Sequence, residues 1–116
     1  MLTISAKRAE ALRDLAASYA ELLEQNRDVD DYLADASYTA NTSRSKFNHR
    51  LAVVGNNALD VSVKLKTWLS AGESFGVVNI ENLTQGTPKV VFLFTGQGSQ
   101  YVGMGKELYT TSPIFK

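Results

Sequence analysis

Cysteine is absent from this chain, which removes disulfides, thiolate nucleophiles and cysteine-built zinc sites together. Histidine occurs once, at His49, so a multi-histidine metal centre is excluded as well. Neither sign of charge is in surplus: Lys plus Arg number 12 and Asp plus Glu number 12. A nucleic-acid binder needs a basic excess to displace counterions, and that class is set aside. Long apolar runs are missing too. The longest, residues 90–94, falls far short of the ~20 residues that a membrane span requires. The first residues, Met1-Leu2-Thr3-Ile4-Ser5-Ala6-Lys7-Arg8, lack the charged-then-apolar order of a secretion signal. With 44% hydrophobic and 21% charged residues in 116, what remains is the composition of an ordinary globular protein. The expected location is the cytoplasm, with neither a membrane nor a nucleic acid as partner.

Hydrophobic spacing organises the chain. Leu2-Thr3-Ile4 alternates and reads as a short strand turning at Ser5. Over residues 8–26, Leu12, Leu15, Tyr19, Leu22 and Leu23 share one helical face, and Ala9, Ala11, Ala16, Ala17 and Ala20 favour the helix intrinsically. A second helix is expected from Asp28, acting as its N-cap, with Asp30 and Asp31 in the first turn. Leu33, Ala36 and Ala40 continue its stripe until the polar run at residues 41–45 ends it. Residues 49–55 form a β-branched run closed by Gly55 and Asn56-Asn57. Ala58, Val61, Leu65, Trp68 and Leu69 then recur at helical spacing, and Gly72 stands where a C-terminal cap belongs. Residues 77–82 read as another strand. The expected fold is therefore α/β, a sheet of about three strands with helices packed on it.

A linker, Thr84-Gln85-Gly86-Thr87-Pro88, separates this unit from a different kind of segment, so domains are expected at 1–85 and 86–116. Residues 89–94 read as a strand apolar at five consecutive positions, which needs cover on both faces, as in the middle of a parallel sheet. The glycine-rich turn Gly96-Gln97-Gly98-Ser99-Gln100 follows, then a helix around residues 104–109. Ser112-Pro113 reads as an N-cap and first helical position, opening one more helix. A doubly covered strand with so little chain after it reads as a domain that has been cut.

Only the segment 90–108 has the look of a site. Backbone amides at a glycine-rich turn before a helix can hold a phosphate or a developing oxyanion. A dinucleotide fingerprint needs Gly or Ala where Tyr101 stands, and a phosphate loop running from Gly98 to Gly103 needs lysine where Met104 stands. Both nucleotide readings fail. Two others stay open: an oxyanion site for acyl transfer, which needs only main-chain amides, or a tight turn with glycines for packing alone. Histidine titrates near neutrality, so His49 is a candidate general base, but no Ser-His-Asp set assembles around it and a structural role is favoured. The cluster Asp28, Asp30, Asp31, Asp35 lacks the glycine and ligand spacing of a calcium loop. Asn41-Thr42-Ser43 and Asn82-Leu83-Thr84 match the glycosylation pattern, which means little without a secretion signal. Trp68 and Tyr19 are expected in the core.

The run Val91-Phe92-Leu93-Phe94-Thr95-Gly96-Gln97-Gly98-Ser99-Gln100-Tyr101-Val102-Gly103-Met104-Gly105-Lys106-Glu107-Leu108-Tyr109 resembles the opening of the malonyl-type acyltransferase domain of modular type I polyketide synthases. Upstream, Leu2-Thr3-Ile4-Ser5-Ala6-Lys7, the run from Leu33 to Arg44 and Phe47-Asn48-His49-Arg50-Leu51-Ala52-Val53-Val54 are similar to the linker between ketosynthase and acyltransferase. The resemblance implies that the backbone amide at Gln97 serves half of an oxyanion hole. It also implies that the nucleophilic serine of a Gly-His-Ser-x-Gly motif and a later histidine lie downstream. Neither is present here, and Ser99, which sits in the turn, is not that nucleophile. The reading is thus a non-catalytic linker joined to the first strand, turn and helix of an acyltransferase, with no cofactor of its own. Its implied partners are the neighbouring ketosynthase and acyltransferase and an acyl carrier protein. The parent would use malonyl-type coenzyme A thioesters and a phosphopantetheinyl carrier. Two alternatives are a docking module for a trans-acting acyltransferase and one piece of a split acyltransferase.

Overall fold

A computed structural model describes residues 1–80 and 90–116, which divide into two compact units, Met1–Gln85 and Gly86–Lys116. The linker expected at 84–88, the last residues of the strand expected at 77–82 and Lys89 lie outside the described residues.

In the first unit the alternation of small and branched residues produces three strands, β1 (Leu2–Ala6), β2 (His49–Val53) and β3 (Val77–Ile80). They form one antiparallel sheet in the order β1-β2-β3, with Ile4 opposite Leu51 and Ala52 opposite Val78. Because side chains alternate across a strand, this register puts Leu2, Ile4, Ala6, Leu51 and Val53 on one face, all buried. Helices α1 (Ala9–Gln25) and α3 (Ala58–Ala71) cover that face and each other, while α2 (Tyr32–Ser43) lies along β1.

The buried stripe of α1 is Leu12, Ala16, Ala20 and Leu23. Leu22, expected inside, is 40% exposed, and Leu15 and Tyr19 are only half-buried. Small side chains explain the rotation. Ala16 and Ala20 let α3 approach closely, and the fully buried Ser62 hydroxyl donates to the Ala20 carbonyl at 2.7 Å. The third helix follows expectation, with Ala58, Val61, Leu65 and Trp68 buried. The Asn57 side chain accepts from the Asp60 amide, and Gly72 ends the helix at φ 82, which costs a residue without a Cβ little.

At that N-terminus Asp60 Oδ2 also accepts from the Asn56 amide at 3.0 Å and from Lys64 Nζ at 3.0 Å. The Asn56 hydrogen bond, then the Lys64 hydrogen bond and charge, hold the Asp60 carboxyl below its usual range. A lowered folded pKa means that this stabilisation is complete above the unfolded value and is lost as pH falls through the folded one, so below about pH 4. A carboxyl ¹³C titration is expected to give Asp60 a depressed midpoint that moves back up in Lys64→Met. An unchanged midpoint in that variant would refute the lysine's contribution.

The second helix starts later than the aspartates suggested. Asp28 does not cap it; the carboxylate lies 3.5 Å from Arg27 Nε, and α2 begins at Tyr32. Asp31 stands at the cap in the left-handed region, φ 59, a conformation that aspartate tolerates better than most residues but that no side-chain capping bond accompanies. Nor do the polar residues from 41 stop the helix, which runs to Ser43. Thr42 Oγ1 returns to the Tyr38 carbonyl and Asn41 bonds to β1, so each finds a partner without leaving helical geometry.

In the second unit residues 90–94, expected as a strand, are in none. Their side chains are at least 74% exposed. A strand needs a paired neighbour, and no strand occurs among the described residues of this unit. The helix expected around 104–109 is α4 (Lys106–Thr111). Gly103 at φ 84 and Gly105 at φ 76 take the backbone out of right-handed helical space, so the helix starts only after the second of them. From Ser112-Pro113 comes a single turn, with the Phe115 and Lys116 amides bonded to the Ser112 carbonyl. One turn alone does not meet the cost of helix nucleation.

Candidate functional site

The glycine-rich segment makes a turn at Gln97–Gly98, with Gly98 at φ 98, where a side chain would be strained. Its groups are tied internally. The Gly98 amide donates to Gln100 Oε1 at 3.0 Å, and the Ser99 hydroxyl donates to the Gly96 carbonyl at 2.9 Å. Ser99 is therefore a brace of the turn. Gln97 is exposed at its apex. The turn does not run straight into a helix as expected, since further turns at residues 102–105 intervene before α4.

His49 lies in the other unit, on the helix-covered face of the sheet, opposite Ala6. Its Nδ1 is buried, away from any carboxylate or hydroxyl partner among the described residues. The aspartates at 28, 30, 31 and 35 are exposed, and the described residues contain no group of side chains that could hold a metal ion. Asn41 spends its side-chain amide on β1, while Asn82 lies outside the described residues.

Sequence reasoning missed a cleft of about 600 Å³ on the uncovered face of the sheet. Thr3, Ser5, Arg50, Ala52, Val78 and Ile80 line it, and the segment 44–47 forms a wall. Ser5 pins that wall: its hydroxyl donates to the Ser45 carbonyl and accepts from the Phe47 amide, both at 3.1 Å. Arg50 Nε donates to the Phe47 carbonyl at 2.7 Å, and Lys7 lies over the Phe47 ring. The lining cations, Arg44, Lys46 and Arg50, face no lining carboxylate. The alternation of apolar and polar residues in β1 and β2 was the available signal, because it leaves the second face of the sheet without a helix to cover it.

Residues 1–65 match the family described as CurL-like, PKS C-terminal. The chain belongs to that polyketide synthase family. Among its relatives, orsellinic acid synthase armB of Armillaria mellea is 42% identical over 113 residues, covering 97% of this chain and 5% of the relative. The solved acyl transferase domain of ZmaA is 40% identical with a TM-score of 0.77, covering 97% of this chain and 24% of that one. The oxazolomycin ketosynthase domain OzmH KS7 of Streptomyces albus JA3453 is 31% identical with a TM-score of 0.61, covering 67% and 13%. This polyketide synthase chain thus spans about one-twentieth of a curated relative's length, and its structural neighbours include both acyltransferase and ketosynthase domains. No described helix is long and apolar enough to cross a membrane.

Proposed function

We propose that this chain is a structural linker of a modular polyketide synthase, which holds acyltransferase and ketosynthase at a fixed separation in the cytoplasm. Residues 1–85 form the linker domain, and residues 86–116 open the acyltransferase. The observation that carries the reading is the double likeness, to a solved acyl transferase domain and to a solved ketosynthase domain, across one small chain. The linker unit supports it physically, since a sheet with one face packed under two helices and its edge tied to a third is a rigid spacer. In the complete synthase the acyltransferase would load malonyl-type units from coenzyme A thioesters onto a phosphopantetheinyl carrier protein, which shuttles between the two domains. The main-chain amide at Gln97 would then supply half of the oxyanion hole. The chain itself performs no acyl transfer in this reading.

The test is a flexible insertion of about 20 Gly and Ser residues at the junction of 85 and 86 in a complete synthase carrying this chain. Loosening the spacing lowers the effective concentration of one domain at the other, so chain elongation is expected to fall about tenfold. Self-acylation of the acyltransferase by malonyl coenzyme A is expected to stay within about twofold, because its own site is untouched. Elongation at the original rate would overturn the spacing role.

A further inference from the structure

Three buried side-chain polar atoms of the first unit have no protein partner among the described residues, Ser37 Oγ, Trp68 Nε1 and His49 Nδ1, and the last two belong to residues that the fold brings to one place. Trp68 is only 4% exposed. An indole N–H can only donate, and leaving it buried without an acceptor is unfavourable. Both residues line the same small cavity, about 60 Å³, between the covered face of the sheet and helices α1 and α3. Ala9 and Leu12 supply its apolar walls, and Asn79 of β3 borders it. Arg13 caps the arrangement from outside: its guanidinium carbon sits 5.3 Å from the centre of the Trp68 ring, and its Nη2 donates to the Leu69 carbonyl.

We propose that this cavity is a binding site for one ordered water that bridges the two side chains. The water oxygen accepts from the Trp68 indole N–H, and one water hydrogen is donated to His49 Nδ1. A water occupies roughly 30 Å³ of liquid volume, so the cavity has room for it, and a bridging water needs at least two polar partners, which these atoms provide. The bridge also sets the imidazole. Nδ1 must be the accepting nitrogen, so the neutral ring carries its hydrogen on Nε2. The only histidine of the chain is then neither base nor ligand. It is the acceptor that, through water, satisfies the only tryptophan at the end of the core.

Having one tryptophan and one histidine makes the experiment unambiguous. In the ¹⁵N-labelled 116-residue chain at neutral pH, water-selective rotating-frame spectra should show a dipolar cross peak between water and the indole proton, opposite in sign to the diagonal. Long-range ¹H–¹⁵N spectra should show His49 Nδ1 unprotonated, and its nitrogen shift should move in Trp68→Phe, which keeps an aromatic ring and removes the donor. An N–N coupling between indole and imidazole without a water cross peak would replace the water by a direct bond and overturn the proposal. A protonated Nδ1, or an indole proton that sees no water, would overturn it equally.

Discussion

Trp68→Ala is expected to cost the first unit about 3–5 kcal/mol, the range for removing a large buried aromatic and leaving a cavity. Trp68 is 4% exposed and packs in the same core as Leu2, Leu12, Leu51 and Leu65. Its loss would also leave the Arg13 guanidinium without the ring it stacks on. Natural domains hold about 5–15 kcal/mol in total, so the variant should lie near the edge of stability. Urea denaturation followed by circular dichroism, which does not rely on the lost fluorophore, measures it. An unchanged midpoint would show that the tryptophan carries none of the core's stability.

Asn41→Leu is also expected to be damaging, at about 2–3 kcal/mol, although the residue is polar and only half-buried. Asn41 Oδ1 accepts from the Thr3 amide at 3.0 Å and from the Thr3 hydroxyl at 2.6 Å, and Nδ2 donates to the Met1 carbonyl at 3.0 Å. The side-chain amide thus does for the outer edge of β1 what a further strand would do. Leucine is isosteric enough to remain in the helix, yet it leaves the Thr3 amide and the Met1 carbonyl without their partner. Two consequences are expected: a lower denaturation midpoint, and faster amide exchange at Thr3 than at other positions of β1. An unpaired edge is also a template for another chain, so the variant should self-associate more readily at high concentration. Equal exchange at Thr3 in variant and parent would mean that the edge is protected by something other than Asn41.

These two residues mark the boundary of what could be read without coordinates. Trp68 was legible because its helix repeats at a spacing set by local geometry alone, with Gly72 placed to end it. Asn41 was not, since its partner lies on β1, far away in sequence. Read locally, it belonged to a polar run that ends a helix, or to a glycosylation pattern. The same holds for Ser62, whose serine at a core position makes sense only once Ala20 of another helix is beside it. His49 was visible as the lone histidine, but the tryptophan and the cavity that define its surroundings come from other elements.

The site was legible to a similar degree. Gly96, Gln97 and Gly98 announced a turn, because glycine's freedom at positive φ is a property of the single residue, and Gly98 has that conformation. The cleft on the open sheet face was hidden, because a cleft depends on which face the helices leave uncovered.

By itself the sequence determined the number and kind of elements in the first unit: three short strands, one by alternation and the others by short apolar, β-branched runs, three helices by periodicity, and the glycine stops. It also excluded disulfide, multi-histidine and cysteine-metal chemistry by composition. Tertiary structure alone decided the rest. It chose the side of α1 that faces inward, because two helices in close contact select alanine over leucine. It moved the start of α2 to Tyr32, because Asp31 takes a left-handed conformation that the helix cannot include. And it left residues 90–94 outside any strand, because a continuous apolar run makes a segment ready to pair, while pairing itself requires a neighbour with hydrogen-bonding groups at the matching spacing.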